Sequence, residues 1–250
     1  MSRNLFLIAA ALVLSAAAAL ADQTGTFRVH ANHTNAMVVS QLRADLVTAE
    51  RTIHRLLGEF PETVAVHVHS SRDAFTSALH EAWGMEETAC WMVGAAGERT
   101  LHLLSPDVWA EQASEHDPTD REHVRQLVTH EAVHVLHGQV NPADDLGHLE
   151  ALGWFIEGLA TYASGQLESR HAARAAQAIA AGEAPDRLAD AWNGPYRYGV
   201  AGSMVAFIDD AWGRDTLRSL LTATSQREIL GALGVDEAAF LERWRAWVVS

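Results

Sequence analysis

The chain has 250 residues, 48% of them hydrophobic, enough apolar material for one core of ordinary size and too much for a disordered chain. Its formal net charge of −14 repels phosphate backbones and anionic lipid, which argues against nucleic-acid and membrane-surface binding. Cys90 is the only cysteine, so the fold forms without an internal disulfide.

In chain order, Arg3 precedes the apolar run LFLIAAALVLSAAAALA, which closes in the small-x-small pattern Ala19-Leu20-Ala21. The pattern predicts a secretory signal peptide over residues 1–21, cut before Asp22, and an exported, periplasmic or secreted product. The run is short and alanine-rich for an anchor, and no later apolar run is long enough to span a bilayer, so no stable membrane insertion is expected after cleavage. FRVHA (27–31) and TVAVHVH (63–69) alternate with period two and predict strands. Between them Val39, Leu42, Leu46, Ala49, Ile53 and Leu56 recur at three and four, one face of a long helix. SSRDAFTSALHEAWG predicts a short helix closed by Gly84, followed by a pair of strands in CWMVG and RTLHLL.

From Thr119 onward strand signals vanish. Helices are predicted near 120–139, 149–164, 167–181, 199–212 and 236–249. The whole reads as an α+β fold, with an α/β sheet region over 22–118 and helices over 119–250, forming one continuous domain with the cleft between its two regions.

The segment VTHEAVHVLH (128–137) then stands out for its three histidines and one glutamate. Thr119 and Glu122 form a capping-box signal that starts a helix there. Val124, Leu127, Val128, Ala132 and Val135 share its core face, with His130, His134 and His137 on an adjacent stripe. His130-Glu131-Ala132-Val133-His134 is an HExxH pattern. Imidazoles at i and i+4 can present nitrogens to one zinc ion, and the intervening carboxylate can act on the water that the metal activates. With 14 histidines in the chain, coincidence is the competing reading, so a third ligand is needed. Gly and His at 137 and 140 would mark the metzincin branch, but His137 and Val140 stand there. Downstream, Glu157 is the single carboxylate in LGWFIEGLATYASG; its burial calls for a cation or an arginine. His137 reads as a solvated or supporting histidine, and His67 and His69 as the polar face of their strand.

HEAVH, WFIEGLATY and PYRYGVAGSMVAFIDDAWG together resemble the gluzincin metallopeptidases, specifically small peptidase MA-like proteins distantly related to thermolysin and the zinc aminopeptidases. The resemblance runs loosely from Phe27 to the C-terminus. It implies a zincin-like mixed sheet with an active-site helix and a helical C-terminal subdomain, one zinc ion per chain held by His130, His134 and Glu157, and Glu131 as general base and acid. It also implies that RTLHLL is the edge strand along the cleft, and that a tyrosine of PYRYG, Tyr198 by family spacing or else Tyr196, donates to the oxyanion. One departure is Thr161, at a position that is acidic in thermolysin-like enzymes, which leaves the supporting partner of the zinc histidines unassigned. The implied function is an exported zinc metallopeptidase acting on a peptide or protein substrate. A zinc hydrolase of a non-peptide amide or ester and a non-catalytic zinc-stabilised binding protein stand as alternatives.

Overall fold

The structure is a computed structural model that describes residues 23–113 and 115–250; the expected leader, residues 1–21, lies outside the described residues. Strands β1 (Gln23–Thr24), β2 (Phe27–His30), β3 (Val64–His69), β4 (Gly94–Ala96) and β5 (Thr100–Leu104) form a mixed sheet in the order β1-β2-β3-β5-β4. The three inner strands run parallel, and both edge strands pair antiparallel. Phe27, Val29, Val64, Val66, Val68, Leu101 and Leu103 are buried, the residues that period-two alternation turns to one face.

Helix α1 (Ala36–Leu56) packs along α4 (Arg121–Val140), and α4 in turn lies against β4 and β5. Asp45 of α1 ties the start of α4 through a 2.7 Å ion pair to Arg121. Helix α2 (Arg72–Trp83) is capped at its start by Ser71 and closed by Gly84 at φ 70°, a left-handed turn that favours glycine. The short α3 (Trp109–Gln112) leads into the loop before α4. Beyond α4 come α5 (Gly153–Ala163), α6 (Arg174–Ala181), α7 (Arg197–Trp212), α8 (Arg214–Ser219), α9 (Gln226–Leu233) and α10 (Glu237–Val248). One cluster of buried apolar side chains runs through both the sheet region and the helical region, from Phe27 to Trp244.

The α+β architecture and the helical second half match the expectation, and several local readings are corrected. RTLHLL is not the edge strand: β5 lies between β3 and β4, and the edge is β4, because the hairpin through 97–99 folds Gly94–Ala96 onto its outer flank. The N-cap of α4 is Asp120, whose carboxylate accepts from the His123 N–H at 3.0 Å, while the Thr119 hydroxyl donates to Asp117 instead. The stretch 167–181 is not one helix, since Leu167–His171 forms a wider π-helical turn before α6. Helices α8 and α9 had no predicted counterpart, although Ser225 and Glu228 at the start of α9 have capping-box spacing, and Ser225 accepts from the Glu228 N–H.

Candidate metal centre and its cleft

Helix α4 turns Val124, Val128, Ala132 and Val135 into the core, and that fixes where His130 and His134 emerge one turn apart. Helix α5 approaches from the other side, held close to α7 by glycine. A methyl group built on Gly158 would stand 2.4 Å from the Ala201 carbonyl oxygen, so only glycine permits this approach. On the facing helix Gly202 lies against the Thr161 side chain, whose Cγ2 would stand 3.0 Å from an added methyl group. The packing brings Glu157 opposite the two histidines.

The three side chains converge. His130 Nε2 lies 3.2 Å from His134 Nε2 and 3.4 Å from Glu157 Oε2, and His134 Nε2 lies 3.8 Å from Glu157 Oε1. One ligand atom from each falls within 4.8 Å of the others, so the His130/His134/Glu157 group could hold a metal ion. Donors about 2.0–2.2 Å from a tetrahedral ion stand roughly 3.3–3.6 Å apart, which is close to the spacing found. The Nδ1 of His130 lies 2.9 Å from Gln166 Oε1. A carboxamide oxygen only accepts, so Nδ1 carries a proton in this bond, and it is loss of the Nε2 proton, now shared with Glu157, that would turn a lone pair to the centre. Burial alone would raise the Glu157 carboxyl, but the charge of His134 and the hydrogen bond and charge of His130 outweigh it and hold it down at about 2. An ionised Glu157 between two imidazoles is what a divalent cation requires.

Glu131 packs beneath the edge strand. A methyl group on Gly94 would stand 2.6 Å from Glu131 Cγ, so β4 passes over this side chain only because residue 94 is glycine. Burial pushes the Glu131 carboxyl up to about 7, the charge of His130 opposing and that of Glu157 adding to the rise. Tyr198 opens α7 with its ring stacked on His171 at 5.3 Å and edge-on to Trp192 at 4.8 Å. Burial and the charge of Glu157 raise its phenol against the hydrogen bond and charge of Arg197, with a smaller rise from Glu131. Tyr196 is the residue before α7 and packs against the rim of the core.

A cleft of about 1050 Å³ opens beside the centre, with His134 and Glu157 among its lining. Ala95 and Ala96 of β4 and the turn through Arg99 form one wall; Leu146, Leu149, Ile156 and Trp192 belong to the other. No known family profile, curated protein or solved structure gave a significant match to the chain.

Other readings change here. His137 is not solvated: it is 1% exposed, edge-on to Phe155 at 5.9 Å, and burial drives its pKa down to about 3. Thr161 is fully buried between α5 and α7, and the support for His130 comes instead from Gln166. Gln166 carries no sequence signal, because it reaches His130 across 36 positions. Gly94 had one, being a glycine inside a strand pattern. His67 and His69 do line the polar face of β3, where His67 stacks on His30 and His102 at 5.1 and 5.0 Å, and His69 on His102 at 5.3 Å.

Proposed function

We propose that this chain is a zinc-dependent peptidase of gluzincin type with a zincin-like fold. The observation that carries the reading is the convergence of two imidazole nitrogens and one carboxylate, with a second carboxyl, Glu131, next in sequence to His130 on the same helix. Two nitrogens and one oxygen suit zinc, and three protein ligands leave a coordination position open, as catalytic sites do. When bound there, zinc supplies Lewis acidity that polarises a carbonyl and brings the pKa of its water to about 7.

The rest of the chemistry belongs to the chain. Glu131 accepts a proton from the attacking water and returns it to the departing amine, the work of a general base and acid. Tyr198 donates its hydroxyl proton in a hydrogen bond to the oxyanion as it develops. Gln166 keeps His130 in the tautomer the centre needs.

The edge strand supports a peptide substrate. Ladder bonds from the Gly97 N–H to Thr100 and from the Leu104 N–H to Val93 turn the alternate peptide groups, those of Gly94 and Ala96, away from β5. An extended peptide can pair with such an edge beside the catalytic residues.

The same reading includes export, which rests on the leader alone. Native mass spectrometry of the secreted product tests both points: the expected species begins at Asp22 and carries one zinc ion, and a chain beginning at Met1 would end the export reading. Glu157→Ala is expected to lose zinc at concentrations that saturate the parent, and equal affinity would overturn the ligand assignment.

A further inference from the structure

We propose that the cleft beside the metal centre recognises a cationic segment of an extended polypeptide, a basic side chain embedded among apolar ones; this rests on the peptidase reading of the same site. The first observation is the lining. Met85, Leu146, Leu149 and Ile156 present apolar surface within one cavity, and Trp83 stands at its wall 41% exposed. That indole is held in place, edge-on to His102 at 5.2 Å and close over Gly97, where a methyl group would come within 2.9 Å of Trp83 Cζ2. Rigid apolar walls of this kind bind the aliphatic stem of lysine or arginine, and an open indole face attracts its charge.

Charge complementarity is the second observation. Glu98, Asp144 and Asp145 line the same cleft and are exposed. Among the described residues neither Glu98 nor Asp144 has an ion-pair partner, and Asp145 faces only His148 at 3.8 Å. Arg99, the one arginine in the lining, is engaged by Glu62 at 2.8 Å. Glu98 and Asp144 therefore stand without an ion-pair partner beside an apolar cleft, in a chain whose net charge of −14 already draws cations. Arg197, near the Trp192 end of the cleft, is itself held over the rings of Trp192 and Tyr198 at 5.5 and 5.2 Å. A basic side chain fits exposed carboxylates at the rim of an apolar cleft, and an acidic one does not.

The test separates recognition from cleavage. Zinc-loaded Glu131→Gln protein is titrated with dye-labelled peptides that share one apolar core and differ only in carrying Lys/Arg, Gln or Glu, followed by fluorescence anisotropy. The basic peptide should bind about tenfold or more tighter than the acidic one, with the gap narrowing as salt is added. Adding Glu98→Lys and Asp144→Lys should abolish or reverse the order, and the near-isosteric Asp144→Asn should shrink the gap if the double reversal fails to fold. Equal affinity for all three peptides, or an unchanged order in both variants, overturns the proposal. The zinc-loaded parent is given the same peptides. Charge-selective binding without any cleavage would overturn the peptidase reading and uphold the recognition, whereas cleavage indifferent to charge would do the reverse.

Discussion

At the scale of single residues, the site depends on who holds the histidines still. His130 is 6% exposed and has its distal nitrogen on Gln166, whose position is set by the turn after α5. Gln126 fastens that turn, donating to the Gly165 carbonyl and accepting from the Ser169 hydroxyl. Gln166→Ala should weaken zinc affinity by about 10- to 100-fold with the fold retained, as measured by competition with a chromophoric chelator. Unchanged affinity would mean that the hydrogen bond does not orient the ring. The two histidines of the group were legible in the sequence because their spacing is local to one helix. Glu157 was legible as an isolated carboxylate in an apolar stretch. Gln166 was not, because a neutral amide in a loop has many uses and the contact that gives it this one is long-range.

At the scale of elements, two glycines set the helix spacing that delivers Glu157. Gly158 lets α5 approach the α7 backbone at Ala201, and Gly202 leaves room for the buried Thr161 side chain. Gly158→Ala has no room, since the Ala201 carbonyl belongs to a packed helix and cannot swing aside. It should cost about 1–3 kcal/mol of stability, as other overpacked cores do, and should loosen zinc binding in parallel. Chemical denaturation with and without zinc reads both, and a variant as stable as the parent would show that α7 can retreat.

The long elements were legible because Val39 to Leu56 and Val64 to His69 carry their periods over many residues. RTLHLL was read close to the observed β5, but β4 was placed too early, in CWMVG, and the edge was assigned to the wrong strand, since a three-residue strand carries too little alternation to fix register or order. Helices α8 and α9 are short enough that capping, rather than amphipathic period, defines them.

At the scale of the whole molecule, buried histidines link stability to pH. His102 lies 7% exposed among stacked imidazoles, and burial, with the charges of His67 and His69 adding, drives its pKa down to about 4. Burial and the charge of Arg170 do the same to His123, also to about 4. A histidine whose native pKa lies below the unfolded value of about 6.5 takes a proton more readily in the unfolded chain. Their contribution is therefore whole above about pH 6.5 and is lost as the pH falls through about 4. Urea midpoints should decline over that window, and His102→Phe should flatten the decline. A parent profile level from pH 7 to 4 would contradict the buried, neutral state of these rings.

The account as a whole turns on Glu131. It lies next in sequence to a histidine of the centre, packs beneath β4 and has a carboxyl near pH 7. Glutamine has nearly the same shape and cannot take up a proton, so Glu131→Gln should leave packing and ligands intact while removing the proposed base. The most direct test measures zinc content and peptide hydrolysis side by side in the parent and in Glu131→Gln. One zinc ion per chain in both, with turnover in the variant down by about 10²- to 10⁴-fold, is the predicted result. Hydrolysis at the parent rate by zinc-loaded Glu131→Gln would contradict it.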